Sequence, residues 1–494
     1  MKNSIYIIAF LLLGTTACNN LLDVKPHSFS SDANYYQNEG QILRALNGSY
    51  ASLQELFTGD SFWALTEMRA DNTNYQFDET DRGAQQREEL DEFLITSTNN
   101  YVNTTWSLLY RNIQQSNVIL DRIDQVEFAD EGLKERYKGE AKFLRALQYF
   151  YLVRLFGAVP LKVHEISDPQ DSFSEGRAPV EKVYEQIIAD ATEAAASLPA
   201  RYEGNDVGRA TKGAALSLLG EVYLTQKDYG KAVENLQQLT AMNYSLLPQY
   251  AANFDPNAKN NAESVFSIQF DAGIQSEASN FIFMFGPRNA KMQLTGFSGT
   301  LGGSNIPTPS IVAAYEQGDL RKEASIEMFS DPSNAAFEES EAFDGKIPFI
   351  KKYYHRPFTE DGRANENWPI YRYSYILLML AEALNEAGSG DPHTYLNQVR
   401  QRAGLEPLNG LSKDQFRDAV AQEIRVEVAF ENNRWFQLLR TGTAIEVMAQ
   451  HGTQEKARLS RLSSASYNIM PHKLLYPIPE REVRLNGFEQ NPNW

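Results

Sequence analysis

Residues 208–239 read GRATKGAALSLLGEVYLTQKDYGKAVENLQQL, and their periodicity predicts a helical hairpin. The first helix has the i, i+3, i+4 and i+7 spacing at Leu216, Leu219, Gly220 and Tyr223. After a tight turn, which places Asp228 to cap the second helix, the spacing returns at Ala232, Leu236 and Leu239. Small residues at 220 and 232 would let the two helices approach closely. This is the pattern of a tetratricopeptide hairpin.

The first helix of this hairpin has a second apolar stripe, formed by Ala215, Leu218 and Val222. A helix that is apolar on two sides needs neighbours on both, and repeats of this kind stack in threes or more. We therefore expect a mostly α fold, a tetratricopeptide-like scaffold of helical hairpins that occupies residues 34–250 and 366–494.

Further helical patterns extend the scaffold on both sides of the hairpin. They include the nearly all-round apolar stretch 139–161, which contains Arg145 and Arg154, and a helix that begins at Pro179. We expect both arginines to pair with carboxylates. Later in the chain, helical patterns cover 367–388, 391–405 in a second hairpin with a longer turn, and 413–442 after a cap at Ser412.

Residues 251–365 interrupt the helical periodicity. The stretch 263–270 alternates like a strand, and the following residues are rich in glycine, asparagine and aromatic side chains. We expect an irregular, loop-rich insertion with short β-strands. Within it, FIFMF at 281–285 alternates and could either stack on a ligand or bury one side of a strand, with core packing favoured.

An aromatic-containing loop is also predicted near the start of the scaffold, between helical patterns that end near Phe57 and resume near Trp106. It carries Trp63, Tyr75 and Phe77 among polar residues. Loops on a rigid scaffold often carry function, so this loop is a candidate binding region. The alternative is that the rings only anchor the loop, and for Trp63 this alternative is favoured.

Composition excludes one class of partner. The 494 residues are 42% hydrophobic and 22% charged, which is typical of a globular protein, and the formal net charge is -18. Nucleic acid is a poor partner for such a chain because phosphate binding requires a basic face. The clearest basic cluster, residues 351–356, is interpreted as a strand edge with solvated charges.

The N-terminus reads MKNSIYIIAFLLLGTTAC, with a positive charge at Lys2, an apolar core and small residues that end at Cys18, the only cysteine. The apolar run is too short to span a bilayer. It resembles a bacterial lipoprotein signal, which implies removal of residues 1–17 and acylation of Cys18, although Thr15 stands where a branched aliphatic residue is usual. A plain secretory leader with a buried cysteine is the alternative. Residues 18–33 are interpreted as a polar tether.

Seven blocks in order give the chain a resemblance to the SusD/RagB family of surface lipoproteins. They are the Cys18 signal, GEAKFLRALQYFYLVRLFGAVPL, GRATKGAALSLLGEVYLTQKDYGKA, RYSYILLMLAEALNEAG, LNQVRQRAGL, ENNRWFQLLRTG and YPIPEREVRLNGFEQNPNW. The chain departs from the family pattern in two places, at Glu423-Ile424-Arg425 and at Gln437. These positions are expected to form structural ion pairs, so the departures concern local packing.

The resemblance implies a single domain, residues 34–494, anchored by lipid to the outer membrane and facing the cell exterior. It also implies a partner, a SusC-like TonB-dependent β-barrel transporter over which the protein closes as a lid. Family members capture oligosaccharides, and some capture peptides. A chain that is 12% aromatic has the rings needed to stack on sugar faces.

An enzyme is not expected. The sequence lacks the phosphate-binding, zinc-protease, serine-hydrolase, calcium-loop and paired-cysteine motifs, so neither a cofactor nor a metal site is predicted. Two alternatives remain open. A pair of carboxylates could make a glycosidase, and a plain tetratricopeptide scaffold could bind a protein partner in the periplasm.

The predicted ligand-binding surface combines the first loop with the insertion, because the resembling family places its ligand contacts in these two regions. Trp368 is a further aromatic candidate with no assigned role. We expect the following side chains to lie on one exposed surface: Tyr75, Phe77, Phe281, Phe283, Phe285 and Arg288.

Overall fold

The computed structural model describes residues 35–167 and 176–494, so the predicted leader, Cys18 and the tether lie outside the described residues. Within them, the helices of eight or more residues are α1 (Glu39–Thr58), α2 (Asn100–Arg122), α3 (Glu131–Phe156), α4 (Val180–Ser197), α5 (Lys212–Thr225), α6 (Tyr229–Thr240), α7 (Tyr373–Ala387), α8 (Pro392–Arg402), α9 (Lys413–Glu427), α10 (Arg434–Thr441) and α11 (Ala444–Arg458). Shorter helices span Phe62–Thr66, Gln85–Asp91, Phe281–Phe285, Lys291–Thr295, Pro309–Ala314, Arg321–Ser325 and Glu480–Asn486.

The strands are short and pair two by two. They are β1 (Thr73–Asn74), β2 (Ser264–Ile268), β3 (Ile306–Pro307), β4 (Ile326–Ser330), β5 (Lys346–Ile350) and β6 (Trp368–Arg372). The antiparallel pairs are β1 with β3, β2 with β6 and β4 with β5. The expectation of a mostly α fold with short strands in the irregular region is confirmed.

The hairpin of residues 208–239 forms as predicted, with α5 and α6 as its two helices. The Asp228 carboxylate accepts a hydrogen bond from the Lys231 N–H at 3.2 Å and caps α6. A Cβ placed on Gly220 would lie 2.3 Å from Cδ2 of Leu236, so only glycine permits this approach of the helices. The small residue at 220 is therefore a requirement of the hairpin.

Neighbouring helices cover both apolar sides of this hairpin. Helix α5 packs on α4 and α6, while α7 packs on α6 and continues to α8 and α9. At the other end, α4 contacts α3, α3 contacts α2, and α2 contacts α1. The predicted stack of helices is thus continuous in space, although its helices come from chain segments on both sides of the irregular region. The second predicted hairpin corresponds to α7 and α8.

Two predicted helices have different bounds in the structure. The helical prediction for 367–388 missed β6, whose partner β2 lies about a hundred residues earlier in the chain. The predicted helix 413–442 is divided into α9 and α10 by a turn in which Phe430 and Asn432 have φ of 67° and 62°. A helix cannot continue through left-handed residues, and neither feature is visible in local periodicity.

The turn between α9 and α10 is held by a carboxylate from the first loop. Glu67 is buried, and its two oxygens accept hydrogen bonds from the N–H groups of Phe430 (3.2 Å) and Asn432 (2.8 Å). Burial raises the pKa of Glu67 to about 7, against the opposing effects of these N–H groups and of the Lys352 ammonium. The folded protein therefore binds this proton more tightly than the unfolded chain does.

This buried proton predicts a pH dependence of stability. Between about pH 4.5 and 7, folded Glu67 retains a proton that the unfolded chain has released, so its contribution to stability falls as pH rises. The Glu67→Gln variant carries no such proton. We expect the wild type to lose up to about 3 kcal/mol relative to this variant between about pH 5 and pH 8. Urea unfolding of both proteins across this range measures the difference, and a difference that does not change with pH would contradict the prediction.

Several charged residues predicted to form structural ion pairs do so. Arg145 pairs with Asp190 at 2.7 Å, and Arg154 pairs with Glu221 at 2.9 Å. At the positions that depart from the family pattern, ion pairs join Glu423 to Arg321 and Arg400, and Arg425 to Asp71. Gln437 instead donates a hydrogen bond to the carbonyl of Ala421.

The basic cluster 351–356 is only partly the solvated strand edge that we expected. Lys351 is half-buried and pairs with Glu327, but Lys352 is fully buried and donates hydrogen bonds to Glu431 and to the Ala429 carbonyl, both at 2.7 Å. Tyr353 is buried as well and stacks on Trp368 with 4.9 Å between ring centres. A buried carboxylate partner, remote in sequence, stabilises the lysine inside the protein.

Candidate functional site

Four of the six predicted ligand-binding residues are buried aromatic side chains, and three of these belong to the main core. Phe281 and Phe285 are fully buried on a short helix, where their rings stack on each other and contact Trp368. Tyr75 is buried, donates its hydroxyl to Glu92 and faces the Arg461 guanidinium, 4.6 Å from the ring centre. The expected single exposed surface is therefore wrong for these three rings. The backbone of 281–285 is helical rather than alternating, which places positions i and i+4 on one buried face.

Phe77 lies nearer to solvent, whereas Phe283 belongs to a second, smaller cluster of buried apolar side chains. Phe77 is half-buried between two guanidinium groups, 5.2 Å from that of Arg82 and 5.3 Å from that of Arg461. Phe283 is 8% exposed and packs edge-on against Phe358 at 5.6 Å. Trp368 and Trp63, by contrast, are fully buried. No ring of the predicted set is freely exposed.

Arg288 joins the first loop to the irregular region. Its guanidinium contacts Asp81 at 2.6 Å and Asp78 at 3.3 Å, and its backbone N–H donates to the side-chain oxygen of Gln76. The Gln76 N–H in turn donates to the Gly303 carbonyl at 2.7 Å. The two predicted regions therefore do meet, and Arg288 already has two carboxylate partners there.

A cleft of about 620 Å³ begins beside this contact, at Arg82. We name it the amide cleft because amide and hydroxyl side chains dominate its lining. These side chains belong to Gln85, Gln86, Thr96, Thr98, Asn99, Asn100 and Thr104, and the ring of Tyr101 adds an aromatic surface. Asp60, Glu89 and Arg82 contribute the charged groups of the lining.

Hydrogen bonds between side chains and the backbone hold the wall of the amide cleft in place. Asn99 caps α2 by accepting from the Tyr101 N–H at 3.0 Å, and its side-chain amide donates to the Gln86 carbonyl at 2.8 Å. The Gln86 side chain accepts from the Asn100 N–H at 2.7 Å. Helix α2 and the short helix Gln85–Asp91 are thus cross-linked at the cleft, which preorganises its polar groups.

The Tyr101 hydroxyl is kept neutral. It donates to Asp60 at 3.2 Å, and Asp60 also pairs with Arg87. Burial, which the nearby Asp60 carboxylate reinforces, raises the pKa of Tyr101 to about 12. A half-buried ring with a protonated hydroxyl, surrounded by amides and alcohols, suits a ligand that presents many hydroxyl groups and a flat apolar face.

The residues of the amide cleft were not among the predicted ligand-binding residues. The sequence pattern that could have identified them is the run TSTNN at 96–100, but threonine, serine and asparagine are also the ordinary residues of turns and helix caps. Asn99 does serve as a cap. Only the approach of the helix Gln85–Asp91 converts this cap into the wall of a cleft.

In residues 35–167 and 176–494, no group of three histidine, cysteine or acidic side chains is arranged to hold a metal ion. None of the helices described there has both the length and the apolar character needed to cross a bilayer.

Two family models match the chain. The model of the SusD family matches residues 332–494, and a model described as starch-binding associating with outer membrane matches residues 21–224. Among curated relatives, the SusD-like protein P2 of Formosa agariphila is 29% identical, and the alignment covers 99% of each chain. The starch-binding protein SusD of Bacteroides thetaiotaomicron is 28% identical over 54% of this chain and 50% of its own length.

A solved structure agrees with these sequence relatives. It is described as a laminarin-binding SusD-like protein, and it superposes with a TM-score of 0.77 over 93% of this chain and 100% of its own, at 26% identity. The two proteins therefore share one fold over nearly their whole lengths.

Proposed function

The chain belongs to the SusD/RagB family, and from that premise we propose that it captures oligosaccharide outside the cell and delivers it to a SusC-like TonB-dependent transporter, acting as its lid. The family is one of starch- and glycan-binding proteins associated with the outer membrane. The observation that carries the proposal is the amide cleft, whose many amide and hydroxyl side chains and single aromatic ring match the chemistry of a sugar.

Anchoring belongs to the same proposal. Acylation of Cys18 would hold the protein at the outer membrane, and residues 18–33 would connect the lipid to the folded part. Protease added to intact cells is expected to cleave a protein that faces outward. If the protein resisted protease on intact cells but was cut in lysed ones, it would be periplasmic, as the alternative of a plain tetratricopeptide scaffold requires. Co-purification with a β-barrel protein would support the transporter partnership.

Removal of the Tyr101 ring is expected to weaken oligosaccharide binding at least about fivefold, because an aromatic contact contributes about 1 kcal/mol beyond its buried area. Isothermal titration of the mature chain and of Tyr101→Ala with glycan and peptide libraries measures the effect. Tyr229→Ala removes another half-buried tyrosine, on α6, and is the matched control. Binding of peptides alone would transfer the proposal to a peptide ligand. Equal glycan affinity of a folded Tyr101→Ala protein would remove the amide cleft from the site.

The role of the initially predicted residues is a narrower proposal. Phe77 remains a candidate ligand contact because part of its ring is exposed beside the amide cleft, near Arg82. We assign Arg288 a positioning role, since its guanidinium is occupied by Asp78 and Asp81. The same glycan panel can be used to test for glycosidase activity, and any hydrolysis product would contradict a purely binding function.

A further inference from the structure

A second cleft, of about 600 Å³, lies next to the amide cleft. The two share Thr98 and Asn100 in their linings, so this short segment forms a ridge with a cleft on either side. Beyond the ridge, the second cleft is bounded by the C-terminal residues Pro479, Arg481 and Leu485, among others. We name it the arginine cleft, for Arg481 and Arg484 in its lining.

The outer wall of the arginine cleft is firmly attached to the ridge. The Glu480 N–H donates to the Ser97 carbonyl at 2.9 Å, directly beside the shared residues. Farther along, the Asn491 side chain donates to the carbonyls of Phe156 and Tyr476. The C-terminal segment is therefore fixed on the helical scaffold, and the two clefts keep their relative position.

The two clefts differ in the sign of their charge. The amide cleft has two carboxylates, Asp60 and Glu89, against the single guanidinium of Arg82. The arginine cleft has two guanidinium groups against the single carboxylate of Glu480. Although the chain has a net charge of -18, the lining of the arginine cleft has a local excess of positive charge, so a negative ligand group is more stable there than in the amide cleft.

The guanidinium groups of the arginine cleft are available to a ligand. Arg481 is exposed and has no ion pair within the described residues. Arg484 has a side chain that is 75% exposed, and it pairs with Glu480 across one helical turn. An exposed pair of this kind is weak and is readily exchanged for another anion. Leu485, 54% exposed, adds an apolar surface on which the C–H face of a sugar can pack.

From this juxtaposition we propose that the arginine cleft is a second subsite, which takes a sugar unit bearing a carboxylate or a sulfate ester. The inference rests on the proposed function, because the rest of the same oligosaccharide occupies the amide cleft. The chain crosses the ridge at Thr98 and Asn100. Its acidic unit is directed to the arginine cleft, where guanidinium groups form charge-assisted hydrogen bonds with an anion.

Titration calorimetry with three oligosaccharides of equal length and backbone tests this subsite: one neutral, one carboxylated and one sulfated. We expect the mature chain in detergent to bind at least one acidic oligosaccharide about tenfold more tightly than the neutral one. The double variant Arg481→Gln/Arg484→Gln should lose this preference while keeping its affinity for the neutral chain. Arg201→Gln is the matched control, since Arg201 is 73% exposed and also pairs with a nearby glutamate.

Salt provides a measurement that needs no variant. Because exposed charges are screened at high ionic strength, about 0.5 M salt should reduce the preference of the unmodified protein for the acidic oligosaccharide. Equal affinity for neutral and acidic chains, unchanged in the double variant, would overturn the second subsite and leave the proposed function standing. Failure of all three oligosaccharides and of the wider glycan panel would overturn the proposed function, and the subsite with it.

Discussion

Replacing Glu427 with glutamine is expected to destabilise the protein by about 3–5 kcal/mol, the cost of removing one partner from a buried ion pair. Glu427 lies at the end of α9 and is fully buried. Its carboxylate pairs with Arg372 at 2.9 Å and Arg321 at 3.1 Å, and also with Arg402. Burial alone would raise the pKa of Glu427, but these three guanidinium groups hold it well below its usual range.

The physical reason for so large an effect is the positive charge that would remain. Glutamine preserves the shape of the side chain but leaves three buried guanidinium groups with less compensation. Urea unfolding followed by circular dichroism measures the change, and Glu203→Gln, which removes an exposed pair with Arg201, is the control with an expected effect below about 1 kcal/mol. A similarly small effect of Glu427→Gln would show that the remaining carboxylates of the network compensate fully.

Phe281→Ala is expected to cost about 3–5 kcal/mol of stability, as for other large aromatic residues truncated in a core. The ring is fully buried and contacts Trp368 at 4.8 Å, Tyr353 at 5.1 Å and Phe270 at 5.4 Å between centres. The same substitution should leave the ligand affinity of the folded protein unchanged, because the ring has no exposed surface. Unfolding in urea and calorimetric titration below the unfolding transition separate the two effects.

Phe77→Ala is the matched comparison for this experiment. The Phe77 ring is half-buried beside the amide cleft, near Arg82, so its truncation should cost less stability than truncation of Phe281. Because Phe77 is a candidate ligand contact, the same truncation should weaken ligand binding. If Phe281→Ala were stable and lost ligand, the core assignment of Phe281 would be wrong, and the expected aromatic ligand surface would have to be reconsidered.

The elements that sequence analysis predicted well depend on contacts close in the chain. The hairpin of α5 and α6 is determined by helical spacing, by a cap at Asp228 and by a glycine that meets Leu236 sixteen residues later. The short-range alternation of β2 was also sufficient to identify that strand. Periodicity and capping are local properties, so local sequence is enough to recognise them.

The prediction of the ligand-binding residues was wrong where it depended on the solvent exposure of individual side chains. In the sequence, Phe281 and Phe285 cannot be distinguished from aromatic residues that face a ligand. Their burial depends on contacts with Tyr353 and Trp368, which belong to distant segments of the chain. Lys352 was expected to be solvated, but its partner Glu431 lies 79 residues away. The environment of a side chain is a property of the assembled chain, which one stretch of sequence cannot supply.

Sequence alone was sufficient to identify the helical-hairpin scaffold, the strand of the irregular region and the family, because each is expressed in spacing and ordered motifs. Only the tertiary structure revealed the turn at Phe430 and Asn432, the buried position of the aromatic rings, and the two clefts that meet at Thr98 and Asn100. These features arise where segments that are distant in the chain come into contact, as when the Glu480 N–H reaches the Ser97 carbonyl.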